Sequence, residues 1–207
     1  MPVVPPMTSA EALQRLIDGN ERFVAGVSVQ ARPQHDRLVQ LAEAQHPFAT
    51  VLGCSDSRVS PELVFDQGLG DLFIVRVAGN VVEPEILGSL GYALEYLGTP
   101  LFVVLGHEGC GAVEAALQIR RGGATAQGRL SELLDAILPG LEGIDPSASP
   151  AVQLHCAVEA NVRRAVRQLA VTRAGRAALA DGRIRLVGAV YALDTGRVRF
   201  LPEEPPA

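Results

Sequence analysis

The sequence predicts a single α/β domain, built as a mostly parallel central sheet flanked by helices, with an antiparallel edge strand and an N-terminal helical arm. Three observations carry this. Short, consecutively apolar runs (FATVLG, LFIVRVAG, LFVVLG, IRLVGAVYAL) alternate with helical patterns. Apolar strands separated by helices imply a parallel sheet covered on both faces. At 207 residues, 48% hydrophobic and 20% charged, the chain can bury a sizeable core without staples. No internal repeat interrupts it, so residues 1–207 read as one domain, with 1–46 as the arm.

The elements follow in order. Leu13, Leu16, Ile17 and Phe23 recur at helical spacing after Thr8 and Ser9, either of which can cap, and Gly26 stops the helix. A short helix is expected over Asp36 to Ala44. Phe48 to Gly53 is a β-branched apolar run between turn signals, the mark of a strand buried on both faces. Leu72 to Gly79 and Leu101 to Gly106 read the same way. Ser60 followed by Pro61 opens a helix, and a longer one runs from Glu83 until Gly98 and Pro100 end it. Cys110 begins another. Gly122 to Pro150 holds one helix, SELLDAIL, in a surface excursion. The long amphipathic AVQLHCAVEANVRRAVRQLAV and a short helix at Arg176 to Ala180 precede the fourth buried strand, Ile184 to Leu193. Asp194-Thr195-Gly196 then turns the chain so that RVRFLP pairs back as the antiparallel edge.

Composition removes whole classes of function. All 18 basic residues are Arg, so no lysine is present for a Walker A loop, a Schiff base or pyridoxal phosphate. A net charge of −5, with no concentrated basic footprint, argues against nucleic-acid binding. Three cysteines make a disulfide framework improbable and fit reduced thiols in the cytoplasm. The N-terminus lacks a basic and an apolar signal region, and no apolar run approaches the ~20 residues of a membrane span.

Sites in open α/β sheets form at the carboxyl ends of strands. Cys54-Ser55-Asp56-Ser57-Arg58 follows the first strand, and His107-Glu108-Gly109-Cys110-Gly111 follows the third. Two thiolates and an imidazole delivered to one sheet edge suit Zn²⁺. The fourth position falls to water or to Asp56. Three protein ligands plus water is the catalytic pattern, in which the water pKa falls to roughly 7. Arg58 can pair bidentately with Asp56 and hold it off the metal, leaving the carboxylate to accept a hydrogen bond from the zinc-bound hydroxide. The glycine turn before Ala112 also resembles a dinucleotide-binding turn, but no strand ending in a ribose-binding acid follows. Its glycines better serve a small anion beside the metal, with Gly111 as the candidate N–H.

CSDSRV, DQGLGDLFIVRVAGNVV and HEGCGAVEAAL resemble the β-class carbonic anhydrases, and the similarity covers most of the chain. The resemblance implies zinc held by Cys54, His107 and Cys110, with Asp56 and Arg58 as a catalytic dyad. It implies reversible hydration of carbon dioxide to bicarbonate and a proton. It further implies a homo-oligomer, a dimer or dimer of dimers, with clefts at the subunit interface. Gln45, Phe73 and Tyr92 fall at the substrate-binding positions of the plant-like subgroup. A second subgroup has an inhibitory bicarbonate site with a Trp where this chain has Val51; that site should be missing, although its Arg has a counterpart in Arg76. His46 is expected as a solvated loop residue, His155 and Cys156 point apart on one helix, and Cys156 is expected to be buried. Two alternatives stand beside this reading: a zinc hydrolase of carbon disulfide or carbonyl sulfide, and a zinc-stabilised scaffold.

Overall fold

The apolar runs form β1 (Ala49–Gly53), β2 (Leu72–Arg76), β3 (Leu101–His107) and β4 (Arg185–Tyr191), and β5 (Val198–Phe200) follows the predicted turn. The computed structural model describes residues 7–29, 35–123 and 125–203, with 35–37 in backbone only; the first six residues and the His35 side chain lie outside the described residues. The strands make one sheet in the order β2-β1-β3-β4-β5, parallel except for the antiparallel β4–β5 pair. The expected class holds.

Period-two alternation sends side chains to two cores. On β3, Leu101, Val103 and Leu105 face one core and Phe102 and Val104 the other. The first core lies under α1 (Ser9–Ala25) and α3 (Pro61–Val64). Thr8 starts α1 with a capping box, and Gly26 ends it in the left-handed region. Asn20 joins α1 to its own chain. Its Nδ2 donates to the carbonyls of Val64 (3.0 Å) and Gly196 (2.8 Å), and its Oδ1 accepts from the Val198 N–H (2.8 Å). A separate helix, α2 (His35–Glu43), precedes β1.

The second core collects α4 (Pro84–Tyr92), α5 (Gly111–Arg120), α6 (Arg129–Ile137) and α7 (Pro150–Val171), followed by α8 (Arg173–Ala180). The long helix α7 sits close on β3 and β4 because two glycines leave room. A Cβ on Gly106 would meet Val162 Cγ2 at 2.4 Å, and one on Gly188 would meet Val162 Cγ1 at 2.9 Å. Burying Val162 there stabilises the layer by about 1.5–3 kcal/mol.

Three expectations change. The second strand is the sheet edge: its residues are half-buried except Val75 (buried) and Arg76 (exposed), so it is not covered on both faces within one chain. It also stops at Arg76, and Ala78–Asn80 form a 3₁₀ turn with Gly79 at φ 66° and Asn80 at φ 44°. Cys156 is exposed, because the inner face of α7 is the stripe Gln153, Ala157, Asn161, Ala165 and Leu169 with Val158 and Val162, which Cys156 misses. The predicted helix from Glu83 is α4 continued by a π turn, Ala93–Leu97. Among the described residues no helix is long and apolar enough to cross a membrane.

Candidate metal centre

Adjacent parallel strands deliver the candidate ligands. Gly53, the last residue of β1, pairs with Leu105 of β3, so Cys54 and His107 emerge side by side at the carboxyl edge. Gly109, at φ 61°, lets the chain double back so that Cys110, the N-cap residue of α5, faces the same point. All three groups are buried, and their ligand atoms lie within 4.8 Å of one another. The Cys54 and Cys110 sulfurs are 4.0 Å apart. Two thiolates on one tetrahedral zinc stand about 3.8 Å apart, from bonds of about 2.3 Å.

His107 completes the fit. Its ring is 0% exposed, and Nε2 is one of two buried side-chain nitrogens without a hydrogen-bond partner among the described residues, the other being Asn80 Nδ2. An unpartnered buried nitrogen costs free energy unless something occupies its lone pair. Nδ1 lies 2.9 Å from the Glu108 carbonyl, which can only accept. That contact assigns the hydrogen to Nδ1 and leaves the Nε2 lone pair for a metal.

The two thiols behave as one unit. The Cys110 thiol donates to Cys54 and holds Cys54 far below its ordinary thiol value; burial opposes this, and the His107 ring and the N–H groups of Gly79 and Asp56 assist. Cys110 is pushed the other way, first by that shared hydrogen bond and then by burial, although the Ala112 and Val113 N–H groups at the start of α5 favour its thiolate. The second proton therefore leaves readily only when a cation offsets the second charge. The donor set fits zinc.

Beside this triad, Asp56 is tied to Arg58. Arg58 Nε donates to Oδ1 (2.9 Å), Nη2 to Oδ2 (2.7 Å), and the Arg58 backbone N–H to Oδ1 (3.0 Å). Chiefly for this reason the carboxyl sits well below the usual carboxylate range, although burial opposes the shift. Oδ2 is 3.8 Å from His107 Nε2, within reach of the space the ligands surround.

Other residues singled out by sequence lie elsewhere in the single chain. Gln45 and His46 are exposed and precede β1, at the end opposite Cys54. Phe73 pairs in register with Thr50, near the start of β1. It meets Tyr92, ring centroids 6.1 Å apart, and Tyr92 stacks on Tyr96 at 5.1 Å, forming an aromatic strip along the exposed edge. Gly111 is exposed beside Cys110, with open space where a Cβ would stand. His155 lies 3.7 Å from Glu108 at the surface.

Gly79 and Asn161 have no expected part here, and Arg76 only that of a counterpart to the inhibitory-site Arg. Arg76 Nε donates to the Cys54 carbonyl (2.9 Å) and Nη2 to the Asp56 carbonyl (2.6 Å), clamping the loop that carries both. The Gly79 N–H donates to Cys54 Sγ (3.3 Å), and Asn161 Nδ2 donates to the Gly79 carbonyl (2.8 Å). The signals were present but faint: a glycine closing an apolar run, and a lone amide on the apolar face of α7.

Comparison with known proteins agrees with this geometry. Residues 49–198 match the family model described as carbonic anhydrase. Carbonic anhydrase 2 of Mycobacterium tuberculosis is 39% identical, the alignment covering 95% of this chain and 93% of that protein. A carbonic anhydrase of Mycolicibacterium smegmatis is also 39% identical, with 97% and 95% covered. Among solved structures, the β-carbonic anhydrase CcaA superposes with a TM-score of 0.73 at 28% identity, over 91% of this chain and 94% of its own. A Coccomyxa β-carbonic anhydrase in complex with acetazolamide gives 0.74 at 25%, over 91% and 86%. With its sheet order, its Cys-His-Cys cradle and these likenesses in accord, the chain belongs to the β-class carbonic anhydrase family.

Proposed function

We propose that this chain catalyses the zinc-dependent, reversible hydration of carbon dioxide to bicarbonate and a proton. One observation carries the reading: three soft ligand atoms converge, with the His107 Nε2 lone pair unused, while the nearby carboxylate is held by Arg58. Cys54, His107 and Cys110 would hold the ion. Zinc bound there supplies a Lewis acid that brings the pKa of a water down to about 7, giving a nucleophile at neutral pH.

The remaining work falls to the protein. Asp56, ionised and fixed through both oxygens, accepts a hydrogen bond from the attacking oxygen and orients its lone pair toward carbon dioxide. Arg58 keeps Asp56 from the metal, and Arg76 fixes the loop. A permanently closed structural site would have no use for the Asp56–Arg58 pair, which counts against a scaffold role. The exposed edge of β2 with its Phe73–Tyr92–Tyr96 strip supports a homodimer or dimer of dimers, in which Gln45, Phe73 and Tyr92 line a cleft across two chains with Gly111 beside the substrate. An enzyme of this kind would work in the cytoplasm, where its cysteines stay reduced.

The test is stopped-flow carbon dioxide hydration with zinc content measured on the same sample. Activity that scales with bound zinc supports the proposal, and a zinc-replete but inactive protein overturns it. Sedimentation tests the cleft: a fully active monomer would exclude it.

A further inference from the structure

We infer that Asn161 is a positioning residue of the metal centre, acting through Gly79 on the Cys54 thiolate. The inference rests on reading Cys54, His107 and Cys110 as the metal ligands. Asn161 lies on the inner face of α7, 4% exposed, among Ala157, Val158, Val162 and Ala165. An aliphatic side chain would fill that position without a polar group to satisfy. Instead its Nδ2 donates to the Gly79 carbonyl at 2.8 Å, across 82 residues of sequence. Gly79 in turn gives its N–H to Cys54 Sγ at 3.3 Å.

The turn between them needs holding. Gly79 and Asn80 are consecutive left-handed residues, the second of them not glycine, and such pairs are not favoured by the backbone alone. A side chain at Gly79 would be strained at its φ of 66°, and its Cβ would press on Ile137 Cδ1 at 2.7 Å and Ala112 Cβ at 3.3 Å. The neighbouring residue of Asn161, Val162, is seated over Gly106 and Gly188, so the helix presents the amide from a fixed place on the sheet. The chain of contacts therefore runs from a rigid helix, through a turn with little freedom, to a ligand sulfur.

Two consequences follow for the ligand. A fixed N–H keeps Sγ aimed at the point shared with His107 and Cys110. It also draws electron density from the sulfur, which lowers the energy of the sulfur lone pairs and leaves a bound metal more electrophilic.

Cobalt(II) reports both effects, because its sulfur-to-metal charge-transfer band follows the lone-pair energy. The probes are the cobalt-loaded wild type, Asn161→Leu and Asn161→Ala, neither of which carries a donor. Leu169→Ala, two turns further along the same buried face of the same helix and away from the Gly106 and Gly188 contacts, is the packing control. Both Asn161 variants should shift the band to longer wavelength and bind cobalt and zinc roughly 10- to 100-fold more weakly in chelator competition. Leu169→Ala should lose stability with the band unmoved. Folded Asn161 variants whose band and affinity match the wild type, or change only as in Leu169→Ala, overturn the inference. If neither variant folds, hydrogen exchange of the Asn161 side-chain amide in the zinc-loaded wild type decides: strong protection supports the bond, and exchange at the solvent rate overturns it. A wild type that binds no cobalt defeats the ligand reading itself, which separates the two failures.

Discussion

Replacing Gly106 by alanine should loosen the contact on which both the fold and the metal centre depend. The new Cβ would stand 2.4 Å from Val162 Cγ2 and 3.5 Å from Val158 Cγ1. Carbon atoms in contact prefer 3.5–4.0 Å, so the first approach is short by about 1 Å. Val162 cannot easily turn away, because a β-branched side chain in a helix has one strongly preferred rotamer. The helix must retreat, at a cost of about 1–3 kcal/mol. For a domain of this size that is a drop in Tm of roughly 3–10 °C. Val162→Ala alone removes two methyl groups and also destabilises, by about 2 kcal/mol. In the double variant the space left by one change receives the other, so its loss should fall short of the sum by about 1 kcal/mol or more. Urea unfolding of the four zinc-loaded proteins at one concentration measures this. Strict additivity, or a Gly106→Ala protein as stable as wild type, would refute the close-packing argument.

Three further outcomes are expected. Arg58→Ala should keep its zinc and lose hydration, because Asp56, 3.8 Å from His107 Nε2, is then free to take the open position; an active variant would remove the dyad from the mechanism. Cys110→Ser should lose zinc and hydration together while Cys156→Ser, at the surface, keeps both, as metal analysis of purified protein will show. Asp66 is nearly inaccessible, and although burial pushes its carboxyl up, Ser28, Arg22 and the Val29 N–H outweigh this and hold it below its ordinary value. Its contribution is therefore complete above the unfolded value of about 3.9 and is lost as pH falls through the lower folded one. Asp66→Asn, which tolerates the φ of 48°, should cost about 2 kcal/mol at pH 7. That gap should narrow in acid; a constant difference between pH 3 and 7 in denaturant titrations would contradict it.

Much of the convergence of Cys54, His107 and Cys110 was legible in the sequence because it follows from local rules. Each buried strand announces itself, ligands at strand ends meet at one edge, and a glycine inside His-x-x-Cys closes the turn. What escaped reading depends on which elements become neighbours. The apolar run Leu72–Arg76 looks like any interior strand, and only the sheet order makes it an edge. Cys156 resembles a core residue until the packed stripe of α7 is known. Arg76 reaches the Cys54 loop from an adjacent strand, and Asn161 reaches the Gly79 turn from a distant helix, so no spacing in the chain could connect them. Gln45 lies beyond the far end of β1 from Cys54, so its expected part in substrate binding needs a second chain, which one sequence cannot display.

Zinc reconstitution bears on the proposed chemistry at its root. The protein is stripped with a chelator, zinc is returned in known increments, and carbon dioxide hydration is followed by stopped flow at each step. The Cys54, His107 and Cys110 cradle predicts no hydration in the stripped protein and a linear rise that ends at one zinc per chain. Hydration that survives complete metal removal, or a fully loaded protein no faster than buffer, would contradict it.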